Sequence, residues 1–140
     1  MTVLQPMYPG MVNSPATELA EAITDTQTTA AVANGAKLPA APNIAVLGTD
    51  EDCETIFYGT KVGNNLGSIT RAYQGNAKRW EAGTQVSRRY TDADHAAFIA
   101  NITALNEGKA EKSVVDEHLA AKANHVGSVL YCYRNLGGGL

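Results

Sequence analysis

Along residues 28–88, apolar and polar positions alternate in short runs bounded by glycine, proline or asparagine. A period of two sends successive side chains to opposite faces of a strand, so the region predicts about five short strands. They fall at 28–33, 43–48, 53–59, 65–72 and 84–88. In the third, Glu54, Ile56 and Tyr58 share one face while Cys53, Thr55 and Phe57 share the other. The cluster at 61–65, with Gly63 and Asn64, is a turn that tolerates positive φ and closes a hairpin. Past Tyr90 the period lengthens. Thr91 followed by Asp94 is a helix-start signature, the hydroxyl capping and the carboxylate reaching back. Phe98, Ile99, Ile102 and Leu105 then form one apolar stripe, and Val115, Leu119, Val126, Val129, Leu130 and Tyr133 another. With Asn106-Glu107-Gly108 read as a stop, this predicts two helices, neither carrying a heptad long enough to define a coiled coil.

Ahead of the strands, residues 1–16 hold Pro6, Pro9 and Pro15, three of the five prolines. Fixed φ and missing donors exclude regular helix or central strand there. An extended arm is expected, with Met7, Tyr8, Met11 and Val12 needing a surface to pack on. The expected organisation is an arm over 1–16, a β module over 17–90, a helical region over 91–136 and a glycine-rich tail over 137–140. The fold class is mainly β with C-terminal helices (α+β), the β part a small barrel or sandwich.

Composition and charge narrow the partners. Hydrophobic residues reach 44% but aromatics only 6%, so the core is thin and a single ring counts for much. The formal net charge is −3, and basic residues come as pairs, Lys78-Arg79 and Arg88-Arg89. A nucleic-acid partner held by phosphate neutralisation is therefore not expected. No apolar run nears the ~20 residues that span a bilayer, and the N-terminus lacks the basic-then-apolar order of a secretory signal. Neither a membrane partner nor export by a signal of its own is expected.

The residues that carry chemistry elsewhere do not gather here. His95 follows Asp92 and Asp94, but acids in a first helical turn are explained by the helix dipole. His118 and His125 stand seven residues apart, too far for a local metal pair. The acidic run from Asp50 to Glu54 lacks the glycine and the final glutamate of a calcium loop, with Thr55 and Lys61 in those places. Cys53 and Cys132 have no metal-ligand spacing, and reduced thiols are the default, their pairing left open. No phosphate cradle or nucleophile elbow occurs. The expectation is no catalytic, cofactor-binding or metal residue and no small-molecule substrate.

What remains is the segment 69–88, ITRAYQGNAKRWEAGTQVSR. Arg71 brings a planar, permanently charged fork suited to loop carbonyls or a carboxylate. Gly75 and Gly83 permit turns, and Trp80 is placed to plug the open end of a thin β core. The alternative for Trp80 with Tyr73 is a stacking platform, as in a carbohydrate-binding module. Arg71, Trp80, Tyr73, Met7, Tyr8 and Met11 are thus the candidate structural or interaction residues.

Residues 14–102 resemble a β module found in virion proteins of tailed bacteriophages. The resemblance is carried by Leu38-Pro39, Glu54-Thr55-Ile56 with Tyr58, Thr70-Arg71, Gly75 with Ala77 and Trp80, Ala82-Gly83, Val86 with Arg88, and Asp94-His95 with Ile99 and Asn101-Ile102. It departs at Ala72-Tyr73, where a glycine is expected after the arginine. The resemblance implies a non-enzymatic structural protein, assembled in the bacterial cytoplasm into the virion. It implies other virion proteins as partners and copies of itself as neighbours. An attachment or adaptor subunit on the tail, baseplate or fibre base is the expectation, with capsid decoration or a head-fibre base as the alternative.

Overall fold

The computed structural model describes residues 3–136, those at 110–113 and 125–136 by their backbone alone. The chain divides into two compact units, Pro6–Phe98 and Met1–Gln5 with Ile99–Leu140. The first unit holds one antiparallel sheet of six strands. These are β1 (Ala16–Glu18), β2 (Ala30–Ala31), β3 (Asn43–Leu47), β4 (Glu54–Val62), β5 (Asn65–Gln74) and β6 (Gln85–Ser87), with a 3-10 turn at Gly35–Lys37. Their order across the sheet is β1-β6-β3-β4-β5-β2. The sheet curls until its edges meet, where Leu19 bridges Val32. There the Ala20 N–H donates to the Ala31 carbonyl and the Ala33 N–H to that of Glu18, each at 2.9 Å.

The expected architecture stands in outline and changes in two particulars. Five strands become six, because β1 pairs with β6 just after Pro15. Its sequence Ala-Thr-Glu buries only Thr17, so no apolar alternation announces it and main-chain pairing holds it in place. Two helices become one, α1 (Asp92–Leu136), 45 residues long. The expected stop at Gly108 is absent, because a helix-interior glycine costs only about 1 kcal/mol and Leu105, Lys109 and Ala110 around it favour helix. The tail at 137–140 lies outside the described residues.

Alternation decides the core. Ala45, Leu47, Ile56, Tyr58 and Val86 are fully buried, with Leu19, Ile23, Val32, Leu38 and Leu66 around them. Each large apolar side chain so buried contributes roughly 1.5–3 kcal/mol. Tyr58, the bulkiest, donates its hydroxyl to the Pro39 carbonyl at 2.9 Å. Burial pushes its phenol up to about 12, against the opposing charge of Arg88. β4 and β5 form a hairpin closed over Gly63-Asn64, Val62 facing Asn65.

Candidate functional site

Two buried arginine–carboxylate pairs organise the first unit. Glu54 opens β4 on the core face shared by Ile56 and Tyr58, and all three are 0% exposed. A carboxylate there requires partners, and four donors supply them. Arg71 of β5 binds it as a fork, Nε to Oε1 and Nη2 to Oε2, both at 2.8 Å. The Ala72 N–H and the Trp80 indole N–H add one bond each, also at 2.8 Å. Burial alone would raise the Glu54 carboxyl. The Arg71, Ala72 and Trp80 donors outweigh it and hold the group below its ordinary range. Arg71 also donates to the carbonyls of Thr24 and Lys78, drawing two loops onto the sheet.

The arrangement places Trp80 and strains Ala72. Trp80 sits half-buried against the core. It pairs through its main chain with Ile23 in both directions, at 2.9 and 3.0 Å. Its ring rests on Gly48, where an added Cβ would lie 2.9 Å from the indole; Gly48 also has φ +92°. The Lys78 ammonium lies 4.4 Å from the ring centroid. Ala72 has φ +50°, a left-handed backbone that costs a non-glycine residue roughly 1–2 kcal/mol. That conformation accompanies the Ala72 N–H bond to Glu54.

The second pair joins sheet, arm and helix start. Arg88 follows β6, its side chain 3% exposed, and forks onto Asp94 of α1 at 2.7 and 2.9 Å. Thr91 and Asp94 cap reciprocally: the Thr91 N–H donates to Oδ2 at 2.9 Å, and the Asp94 N–H to the Thr91 hydroxyl at 3.4 Å. Burial would raise the Asp94 carboxyl, but Arg88 and the Thr91 donors lower it on balance. Arg88 also donates to the Tyr8 carbonyl at 2.9 Å, the Pro9 carbonyl at 3.2 Å, Asn43 Oδ1 at 2.8 Å and the Arg89 carbonyl at 2.6 Å. Asn43 Nδ2 donates to the same Pro9 carbonyl at 3.0 Å. From Pro6 onward the arm thus lies on its own chain.

The arm closes an aromatic surface. Tyr8 packs on Phe57, with centroids 5.7 Å apart, and Phe57 on Tyr73 at 6.1 Å. Burial, then the neighbouring Tyr73, pushes the Tyr8 phenol up. Beside these rings is a cavity of about 250 Å³, below the 300–1,000 Å³ usual for drug-sized ligands. Met7, Tyr8 and Tyr73 line it with Tyr90, Phe98 and Arg88. Three of the six sequence candidates therefore converge there. Arg71 and Trp80 belong to the Glu54 cluster, and Met11 lies in the turn before β1, its carbonyl accepting from Ser14 at 2.9 Å.

Glu54, Arg88, Asp94, Asn43, Tyr90 and Phe98 are not among the six candidate residues drawn from the sequence, although Asp94 reads there as a helix cap and Phe98 as part of an apolar stripe. For Glu54 the signal was present: a carboxylate in register with Ile56 and Tyr58. Arg88 and Asp94 had only a cap signature and a basic pair. The His95 ring faces the Tyr90 hydroxyl at 3.1 Å. Cys53 is a free thiol donating to the Asp50 carbonyl; its pairing with Cys132 falls outside the described side chains. Among the described residues, no three His, Cys, Asp or Glu side chains are arranged to hold a metal ion, and no helix is long and apolar enough to cross a membrane. Comparison with family models and with curated proteins finds no match to this chain.

Proposed function

We propose that the chain is a non-enzymatic structural subunit of a bacteriophage particle, an adaptor present in several copies that docks on the tail, baseplate or fibre base. The observation that carries the reading is the way the arm is held. Arg88 and Asn43 grip it by the Tyr8 and Pro9 carbonyls, leaving Met7 57% and Val12 83% exposed. A main-chain anchor with outward apolar side chains suits docking on a neighbouring protein. Glu54, Arg71, Arg88 and Asp94 are engaged with one another and with loop carbonyls, as expected of a scaffold. The resemblance over 14–102 supplies the kind of particle.

Cryo-EM of purified particles, with an antibody against the recombinant chain, tests this. Density at the tail, baseplate or fibre base is the expected result. Density at three- or sixfold capsid positions transfers the role to head decoration, and particles without the chain overturn the proposal. One observation favours a carbohydrate-binding module as second reading: the cavity edged by Tyr73 and Tyr90, 41% and 71% exposed. Trp80 suits stacking less, with Lys78 over its ring and its N–H given to Glu54. Glycan titration of the parent and of Tyr73→Ala decides it, equal or absent binding removing the reading.

A further inference from the structure

The apolar face of α1 has a period that two separate helices would hide. Leu105, Lys112, Leu119, Val126 and Tyr133 recur at intervals of seven, a spacing that starts at Phe98. Val115, Val129 and Leu136 each stand three residues after a member of that series. These are the a and d positions of a heptad, and the uninterrupted helix Asp92–Leu136 places them on one continuous seam. Of the described side chains on or beside it, Ile102 is 51% exposed, Leu105 60%, Val115 52% and Leu119 59%. A helix of 45 residues spans about 68 Å, and one that leaves such a stripe in water gains little of the packing that normally stabilises helices.

We infer that this seam is covered by the same seam of other copies of the chain, in a parallel, in-register coiled coil. A strict seven-residue repeat stays aligned only with a helix that supercoils around it, and an identical helix matches it layer for layer. Residues 99–136 contain four acidic and four basic residues, so this stretch carries no net charge opposing self-association. Lys112 is the single polar residue among the a positions from Phe98 to Tyr133, a device that sets register. Orientation follows from the d positions. They are Val115, Lys122, Val129 and Leu136 toward the C-terminal end but Asn101 and Gly108 toward the start. A parallel pairing matches Val115, Val129 and Leu136 with their own counterparts and leaves Lys122 as the one charged d layer, whereas an antiparallel one sets the apolar layers against Asn101 and Gly108. At roughly 25 cal/mol/Å², a large apolar side chain worth 1.5–3 kcal/mol removes on the order of 100 Å² from water. Six such positions per helix, on two helices, then reach the ~1,000 Å² that a specific interface needs.

This inference names the surface behind the multicopy character proposed above, but solution mass decides it whether or not the chain is found in particles. Sedimentation equilibrium of the full chain, reduced and at tens of micromolar, should give two or three times the 14.8 kDa chain mass. Leu105→Glu with Leu119→Glu should return the mass to one chain with Trp80 emission unchanged. Thr103→Glu, on the opposite helical face, should leave the assembly intact. A parent at 14.8 kDa, or a double variant that keeps the multiple, overturns the inference. Orientation is read on an otherwise native seam: Leu119→Cys, with Cys53→Ser and Cys132→Ser, should cross-link to its own counterpart on mild oxidation. Absence of that cross-link overturns the parallel register.

Discussion

The two arginine–carboxylate pairs of the first unit use the same fork chemistry in different surroundings. Around Glu54 every neighbour belongs to the sheet or to the loops folded on it. The carboxylate is 0% exposed, and four donors fill its acceptor positions. Around the Arg88–Asp94 pair the partners come from the strand end and the helix cap and, through Arg88, from the arm, and the Asp94 side chain is 11% exposed at the border of the cavity. The first pair locks a finished core. The second joins three segments that the sheet alone would not hold together. Burial depth separates a pair whose loss disrupts the fold from one whose loss frees a segment.

The largest expected effect is at Glu54. Replacement by alanine strands the Arg71 guanidinium in the interior, and breaking a buried pair in this way costs about 3–5 kcal/mol. Asp94→Asn should cost less, about 1–3 kcal/mol, because one acceptor and the nearby solvent remain. Its main sign should be faster proteolysis within residues 6–13. Urea unfolding and limited proteolysis check both, and equal losses at the two sites would erase the contrast.

Acid should act through the same two groups. Both carboxyls lie below their ordinary range in the folded chain, so the unfolded chain binds protons more readily than the folded one. The stability they contribute is complete above the ordinary carboxylate values of about 4 and is lost as pH falls through them toward the lower folded values. The urea midpoint should therefore be flat from about pH 7 to 5 and drop below about 4. Glu54→Gln should flatten that drop; an unchanged slope would assign it to other groups. The smallest effect is a gain. Ala72→Gly relieves a left-handed alanine at the Glu54 cluster and should raise stability by up to about 1 kcal/mol, after the entropy glycine loses on folding. A loss would mean that Ala72 is not strained.

Much of the body was legible because a period of two is hard to disguise. Glu54 stands in phase with Ile56 and Tyr58, but as the last member of the acidic run from Asp50 it reads as part of a turn, not as a buried carboxylate. The rest was hidden for physical reasons. β1 is held by main-chain bonds to β6, which carry no side-chain signature. The arm's seat is hidden likewise, since Arg88 reads carbonyls that every residue possesses. Met7 and Tyr8 stand more than sixty positions from Tyr73, so no local pattern shows that they line one cavity. Gly108 was overweighted: one glycine cannot outvote the helix formers beside it, and reading it as a stop cut the seven-residue repeat in half.

Gly35 has a consequence for how this body can vary. A methyl group there would lie 2.0 Å from the Gly63 carbonyl oxygen, the Gly35 N–H donates to the Asn64 side-chain Oδ1 at 2.8 Å, and the Val32 N–H donates to the Asn64 carbonyl at 2.9 Å. The tip of the β4–β5 hairpin is therefore clasped, backbone against backbone, by a turn nearly thirty residues earlier. Lengthening that tip would lift it off its clasp, so new sequence is better accommodated in loops that nothing grips.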